Sequence, residues 1–131
     1  MKKLYHLSKN YLGETKIFTP RVPENRWMGN CEAYNPFNCS LIEEDEKFKR
    51  ICVSPYISGC YRALDGDDKF YNDYYVYQAV DPEYVSRDLP LMLVSDAKKT
   101  GEHWILNKTK FKRIGRIEGS SKKWRWIEKN H

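Results

Sequence analysis

Short apolar and aromatic runs, cut by turn formers every few residues, run the length of this chain and predict strands more often than helices. Lys3–Leu7 reads as an opening strand ending at Ser8. Leu12–Thr15, with Gly13, reads as a turn, and Lys16–Thr19 as a second short strand. In Pro20-Arg21-Val22-Pro23 the two prolines are expected to deny regular pairing and fix an extended loop. Arg50–Ser54 reads as a short buried strand. Pro55 follows, and then Ile57, Cys60, Tyr61 and Leu64 recur at helical spacing, which predicts a helix over 57–64 that stops at Asp65-Gly66-Asp67-Asp68. Tyr74–Val80, β-branched and aromatic, is the clearest strand.

Asp81-Pro82-Glu83 breaks that strand, and residues 83–88 are expected to make one helical turn. Leu89–Val94 is an apolar run, Ser95–Glu102 is polar, and His103–Leu106 reads as a strand. Lys110–Ile117 and Lys122–Glu128 read as a closing hairpin around Gly119-Ser120. Strands thus outnumber helices roughly seven to two, without the regular βα alternation of a doubly wound parallel sheet. The expected class is α+β: two small packed sheets with few short helices, in a single domain spanning residues 1–131.

Residues 24–47 break the pattern. Asn25, Gly29, Asn30, Asn35, Pro36 and Asn38 are turn formers, and Glu43–Glu46 is a solvated charge run. A loop this long inside a small domain reads as a functional lid or an insertion, and Trp27, Tyr34 and Phe37 suggest that it folds back on something.

Composition narrows the class. In 131 residues, 40% are hydrophobic, 15% aromatic and 31% charged, a globular mixture rather than a disordered one. Lys2 and Lys3 are not followed by an apolar stretch, because Lys9, Asn10 and Glu14 intervene. No run approaches the ~20 apolar residues of a membrane span, so a cytoplasmic chain is expected. The four cysteines at 31, 39, 52 and 60 form no CxxC pair and lie far from the histidines at 6, 103 and 131, so free thiols rather than a metal site are expected.

Charge is unevenly placed. Residues 108–131 carry nine Lys or Arg against two Glu, or +7, so the rest of the chain sums to 5 − 7 = −2. Lys122, Lys123, Trp124, Arg125 and Trp126 could hold nucleic acid by phosphate contact and base stacking, or simply form a strand with a solvated basic face.

No phosphate-cradling glycine loop, G-x-S-x-G elbow, H-E-x-x-H or EF-hand motif is present. What remains is an order of pieces: Leu4-Tyr5-His6-Leu7-Ser8 on the first strand, then Phe18-Thr19-Pro20-Arg21. Next come Ile51-Cys52-Val53-Ser54 before a helix, Glu102 before a late strand, and a closing Phe111–Ile117 strand. This order resembles the ADP-ribosyltransferase superfamily, in its small rifampin ADP-ribosyltransferase-like layout. There a "Tyr-His-Gly-Thr" strand is followed by a "Leu-Thr-Pro-Gly" loop, a "Val-Tyr-Phe-Thr/Ser" strand entering a helix, and a late carboxylate.

The resemblance implies NAD as substrate and transfer of ADP-ribose to an acceptor that is protein, nucleic acid or small molecule, with no metal. It implies that Glu102 stabilises the oxocarbenium-like transition state and that His6 bonds a ribose hydroxyl. Tyr5, Arg21, Ser54 and Tyr56 would border the cofactor. Leu7 stands where the family has glycine and Cys52 where it has the strand tyrosine, which leaves Tyr56 as the nearest stacking ring. Asp96 is a second candidate for the carboxylate role. Two other readings stay open: a non-catalytic NAD-binding, nucleotide-binding or protein-interaction factor on the same fold, such as a phage or mobile-element accessory protein, and a nucleic-acid-binding module built on the basic hairpin.

Overall fold

The computed structural model describes residues 3–22, 48–65, 72–94, 97–120 and 123–130. The 24–47 segment therefore lies outside the described residues, as do Asp96, Lys122 and the cysteines at 31 and 39. Within them the chain is mixed α+β, with two small antiparallel sheets and few short helices.

The larger sheet contains β1 (Tyr5–Ser8), β2 (Thr15–Phe18), β4 (Asp73–Val80), β7 (Thr109–Ser120) and β8 (Lys123–Lys129). Its order is β1-β4-β7-β2, and β8 also pairs with β7. Strand β7 is long enough to serve two partners on one edge: β2 pairs with Thr109–Lys112, and β8 with Gly115–Ser120. The smaller sheet, of order β3-β6-β5, contains β3 (Ile51–Val53), β5 (Val85–Ser86) and β6 (His103–Ile105). Three helices complete the described elements: α1 (Ile57–Asp65), α2 (Asp88–Leu93) and α3 (Ala97–Thr100).

Period-two alternation explains how both faces of the larger sheet are covered. On one face Leu7, Tyr74, Val76 and Ile117 pack against Ile57, Cys60 and Tyr61 of α1. Those three are i, i+3 and i+4, the single stripe a short amphipathic helix can bury. The second cluster joins the two sheets: Leu4, Tyr77 and Phe111 meet Ile51, Val53 and Ile105. Burying each such side chain contributes roughly 1.5–3 kcal/mol. The sheets are also tied through the backbone, by the paired bonds Tyr5–Ser54 and Arg21–Arg50.

Two local expectations are corrected. Residues 83–88 hold no helical turn; β-branched Val85 and then Ser86 pair with Ile105 and Trp104, and the helix begins only at Asp88. The apolar run 89–94 is largely that helix, with Pro90 in its first turn, where no N–H is required. Gly119 and Ser120 do not form the hairpin turn but pair with Trp124 and Lys123, so β7 runs to Ser120. Residues 20–22 stay out of regular pairing as expected: Arg21 makes one isolated bridge, its N–H donating to the Arg50 carbonyl at 3.0 Å.

Candidate functional site

The two sheets separate just beyond the Tyr5–Ser54 bridge, and α1 and the end of α3 close over the split. A cleft forms there, lined by His6 and Leu7 from β1, Cys52, Val53 and Ser54 from β3, Gly59, Cys60 and Ala63 from α1, and Thr100 and Glu102. Its interior is about 80 Å³. A water needs roughly 10–15 Å³ on the same measure, so the cleft holds several water-sized groups and not a whole dinucleotide.

His6 crosses the split: its Nδ1 lies 3.0 Å from the Cys52 carbonyl oxygen. A carbonyl only accepts, so Nδ1 carries the proton and Nε2 of the neutral ring is an acceptor. An edge of the residue stays accessible, yet the ring packs on Phe18 at 5.0 Å and faces Phe111 at 6.2 Å. Burial lowers its pKa below the usual 6.5; the bond to Cys52 opposes this, and the charge of Arg21 adds to it. With the folded value depressed, the unfolded chain binds more protons as pH falls through 6.5. Stability is therefore fully present above 6.5 and lost as pH falls toward the folded value. Urea unfolding at pH 7.5 and pH 5.5 is expected to give a lower midpoint at pH 5.5, and His6→Gln should flatten that difference. An equal pH dependence in wild type and variant would contradict it.

Ser54 builds the cleft. Its buried hydroxyl donates to the Thr100 carbonyl at 2.7 Å and accepts from the Tyr56 N–H at 3.1 Å, joining β3, the start of α1 and the end of α3. Cys60 faces the cleft from α1 and donates its thiol proton to the Tyr5 carbonyl at 3.3 Å. Burial pushes this thiol up to about 12. Only about one in 10⁴ Cys60 side chains is then a thiolate at pH 8. Cys60 is expected to resist iodoacetamide in the native protein and to react in urea, as read by peptide mass spectrometry; rapid native alkylation would refute this.

Glu102 is half-buried at the far wall. Its carboxylate Oε2 accepts from the Trp104 indole N–H at 2.5 Å. Its backbone is fixed as well, because the Glu102 N–H bonds the Ala97 carbonyl and the Arg87 guanidinium donates to the carbonyls of Ala97 and Glu102. Gly101, just before it, sits at φ +73 under the Tyr56 ring, a backbone region that L side chains avoid.

Of the residues singled out in the sequence, the fold thus brings His6, Ser54 and Glu102 to one cleft from three distant parts of the chain. Tyr5 contributes its backbone at the head of the split. Arg21 is exposed at the Arg50 bridge, close enough for its charge to act on His6. Tyr56 is 62% exposed and lies over Gly101 rather than among the lining residues. Cys60, Gly59 and Thr100 line the cleft without having been singled out. The helical spacing of Ile57 and Cys60 put Cys60 on the inner stripe of α1, but nothing local said what that stripe would face. Among the described residues, no three His, Cys, Asp or Glu side chains are grouped to hold a metal, and no helix is long and apolar enough to cross a membrane.

The basic C-terminal segment is dispersed by the sheet. Trp124 and Trp126 stack edge to face at 5.7 Å and pack against the α1 core cluster. Arg113 is buried between carboxylates, bonding Glu14 at 2.9 and 3.0 Å and Glu128 at 2.9 Å. Arg125 pairs with Glu118, Arg116 lies 5.1 Å above the Tyr75 ring, and Lys129 lies 5.3 Å from Trp126. No family model matches the chain, and no curated protein or solved structure matches it either.

Proposed function

We propose that this protein is an NAD-dependent mono-ADP-ribosyltransferase-like protein of ADP-ribosyltransferase-like fold, with its nicotinamide–ribose subsite in the cleft between β1, β3 and α1. The observation that carries the reading is the convergence of His6, Ser54 and Glu102 on that one cleft. These are the positions at which the sequence resembles the family.

In the proposed reaction the bond between the nicotinamide nitrogen and ribose C1′ breaks, and its electron pair leaves with nicotinamide, which becomes neutral. Positive charge grows on C1′ and the ring oxygen, and the Glu102 carboxylate stabilises it. The acceptor nucleophile then bonds to C1′ and gives its proton to solvent water. His6 Nε2, an acceptor in the neutral ring, takes a hydrogen bond from a ribose hydroxyl. Since the cleft is too small for a whole dinucleotide, the adenylate half lies outside it, and Arg21 supplies a cation near the His6 side.

One observation favours a second reading. The cleft wall has Cys52 where the family has a tyrosine, and among the described lining residues there is no Phe, Tyr or Trp. A protein that binds NAD or a nucleotide without turnover fits that wall. Calorimetric titration with NAD, run beside a nicotinamide-release assay on wild type and Glu102→Gln, separates the readings. Release that depends on Glu102 is the expected result. Binding without release selects the non-catalytic reading, and neither binding nor release overturns both.

A further inference from the structure

The smaller sheet holds a second layer of order behind the cleft, which no motif announced. In a strand, residues two apart share a face, so Glu102 and Trp104 stand side by side. Register adds Cys52, the partner of Trp104, and with it Ser54 and Arg50 on β3 and its flanks. Trp104 is fully buried, as only a structural or positioning ring would be. Its indole N–H is aimed back along the strand at Glu102 Oε2, at 2.5 Å. On the other side of the indole, the buried Arg50 guanidinium lies 4.3 Å from the ring centroid, within cation–π range. Arg50 is fixed in turn: Nη1 donates to the Phe48 carbonyl at 3.0 Å, and its backbone makes two bonds to Arg21.

We propose that Trp104, backed by Arg50, is the positioning residue for Glu102, holding the carboxylate in one orientation at the cleft. This rests on the proposed role of Glu102. A glutamate has three side-chain torsions, and one at a cleft wall would sample several orientations unless held. A hydrogen bond to a carboxylate is among the stronger ones, and the indole offers a single donor in a fixed direction. The cation above the ring adds positive potential beside the donor. In this geometry Trp104 is not among the residues lining the cleft, and its side chain acts there through Glu102.

The test combines a readout without NAD and one with it. In ¹⁵N-labelled protein each of the four tryptophans gives one indole N–H resonance. The Trp104 resonance, assigned by its loss in Trp104→Phe, is expected downfield of the others and should move upfield in Glu102→Ala while the other three hold. An ordinary position, unmoved by Glu102→Ala, overturns the proposal. In the nicotinamide-release assay, Trp104→Phe, which keeps the ring and removes the donor, should lower kcat roughly tenfold to a hundredfold with KM for NAD unchanged. Unchanged kcat, or a loss confined to KM, overturns it too. Should Trp104→Phe fail to fold, the indole resonance is assigned through its connection to the Trp104 backbone amide in doubly labelled protein, and Glu102→Asp, whose carboxylate keeps its charge but no longer reaches the indole, is expected to give the same upfield shift. If wild type releases no nicotinamide, the enzymatic reading falls, and the indole resonance alone still decides whether Trp104 holds Glu102.

Discussion

Glu102→Gln is expected to cut nicotinamide release by roughly 10²–10⁴ while leaving the fold and NAD affinity close to wild type. The size follows from what the substitution removes. The amide keeps an oxygen that can accept from the Trp104 N–H, so the 2.5 Å contact and the cleft wall survive. What is lost is the negative charge, and that matters only where positive charge develops. A group that stabilises the transition state more than the ground state acts on kcat, whereas one that binds both equally acts on KM. A loss in kcat at constant KM, with an unchanged urea midpoint, therefore identifies Glu102 as the charge-stabilising carboxylate. Equal release by both proteins would remove Glu102 from the chemistry. Asp96, the other candidate carboxylate in the sequence, would then be the residue to substitute.

The same glutamate shows how far the sequence alone reaches. Its selection rested on order along the chain, and the strand after it was legible because the polar stretch Ser95–Glu102 gives way to the short, mainly apolar run His103–Leu106. Alternation even implied that Glu102 and Trp104 share a face. What it did not contain was the partner of that strand: Cys52 lies opposite Trp104 across a separation of 52 residues, and no local pattern encodes such a pairing. Hence the Arg50–Trp104–Glu102 series stayed invisible although each member was in plain view. The same limit applies to Cys60, whose place on the inner stripe of α1 was readable but whose opposite wall was not.

Where local reading stopped or failed, two chemistries were competing. Leu89–Val94 is a run of apolar residues that by itself reads as neither strand nor helix, and it is mostly helix. Gly119-Ser120 is a turn-forming dipeptide, yet its pairing with Trp124 and Lys123 extends β7 instead. That extension lets Trp124 and Trp126 pack against the α1 core while both stay partly exposed. By contrast β4 and α1 were legible, because a run of β-branched and aromatic residues over Tyr74–Val80 and an i, i+3, i+4 stripe each favour one structure.

Gly59→Ala is expected to destabilise the protein by about 3 kcal/mol, at the upper end of what overpacking costs. In an exposed helix interior the change would go the other way, since alanine favours the helix by roughly 1 kcal/mol over glycine. Position 59 is not exposed. A Cβ there would stand 1.8 Å from the Thr100 carbonyl oxygen, 2.8 Å from its carbon and 3.0 Å from the Ser54 hydroxyl. Two of those atoms are backbone at the end of α3, and the third is bonded to them at 2.7 Å, so no side-chain rotation relieves the clash. Helix α1 has to move away from α3, and the Ser54–Thr100 bond that joins the cleft walls is the first contact to break. Equilibrium urea unfolding should show the loss, with Ser58→Ala, one residue earlier on the exposed face, as the neutral control. The movement should also open the cleft, so Cys60 in Gly59→Ala should react with iodoacetamide faster than in wild type. A Gly59→Ala protein as stable as wild type, with Cys60 still protected, would mean that α1 and α3 do not approach as closely as this fold requires.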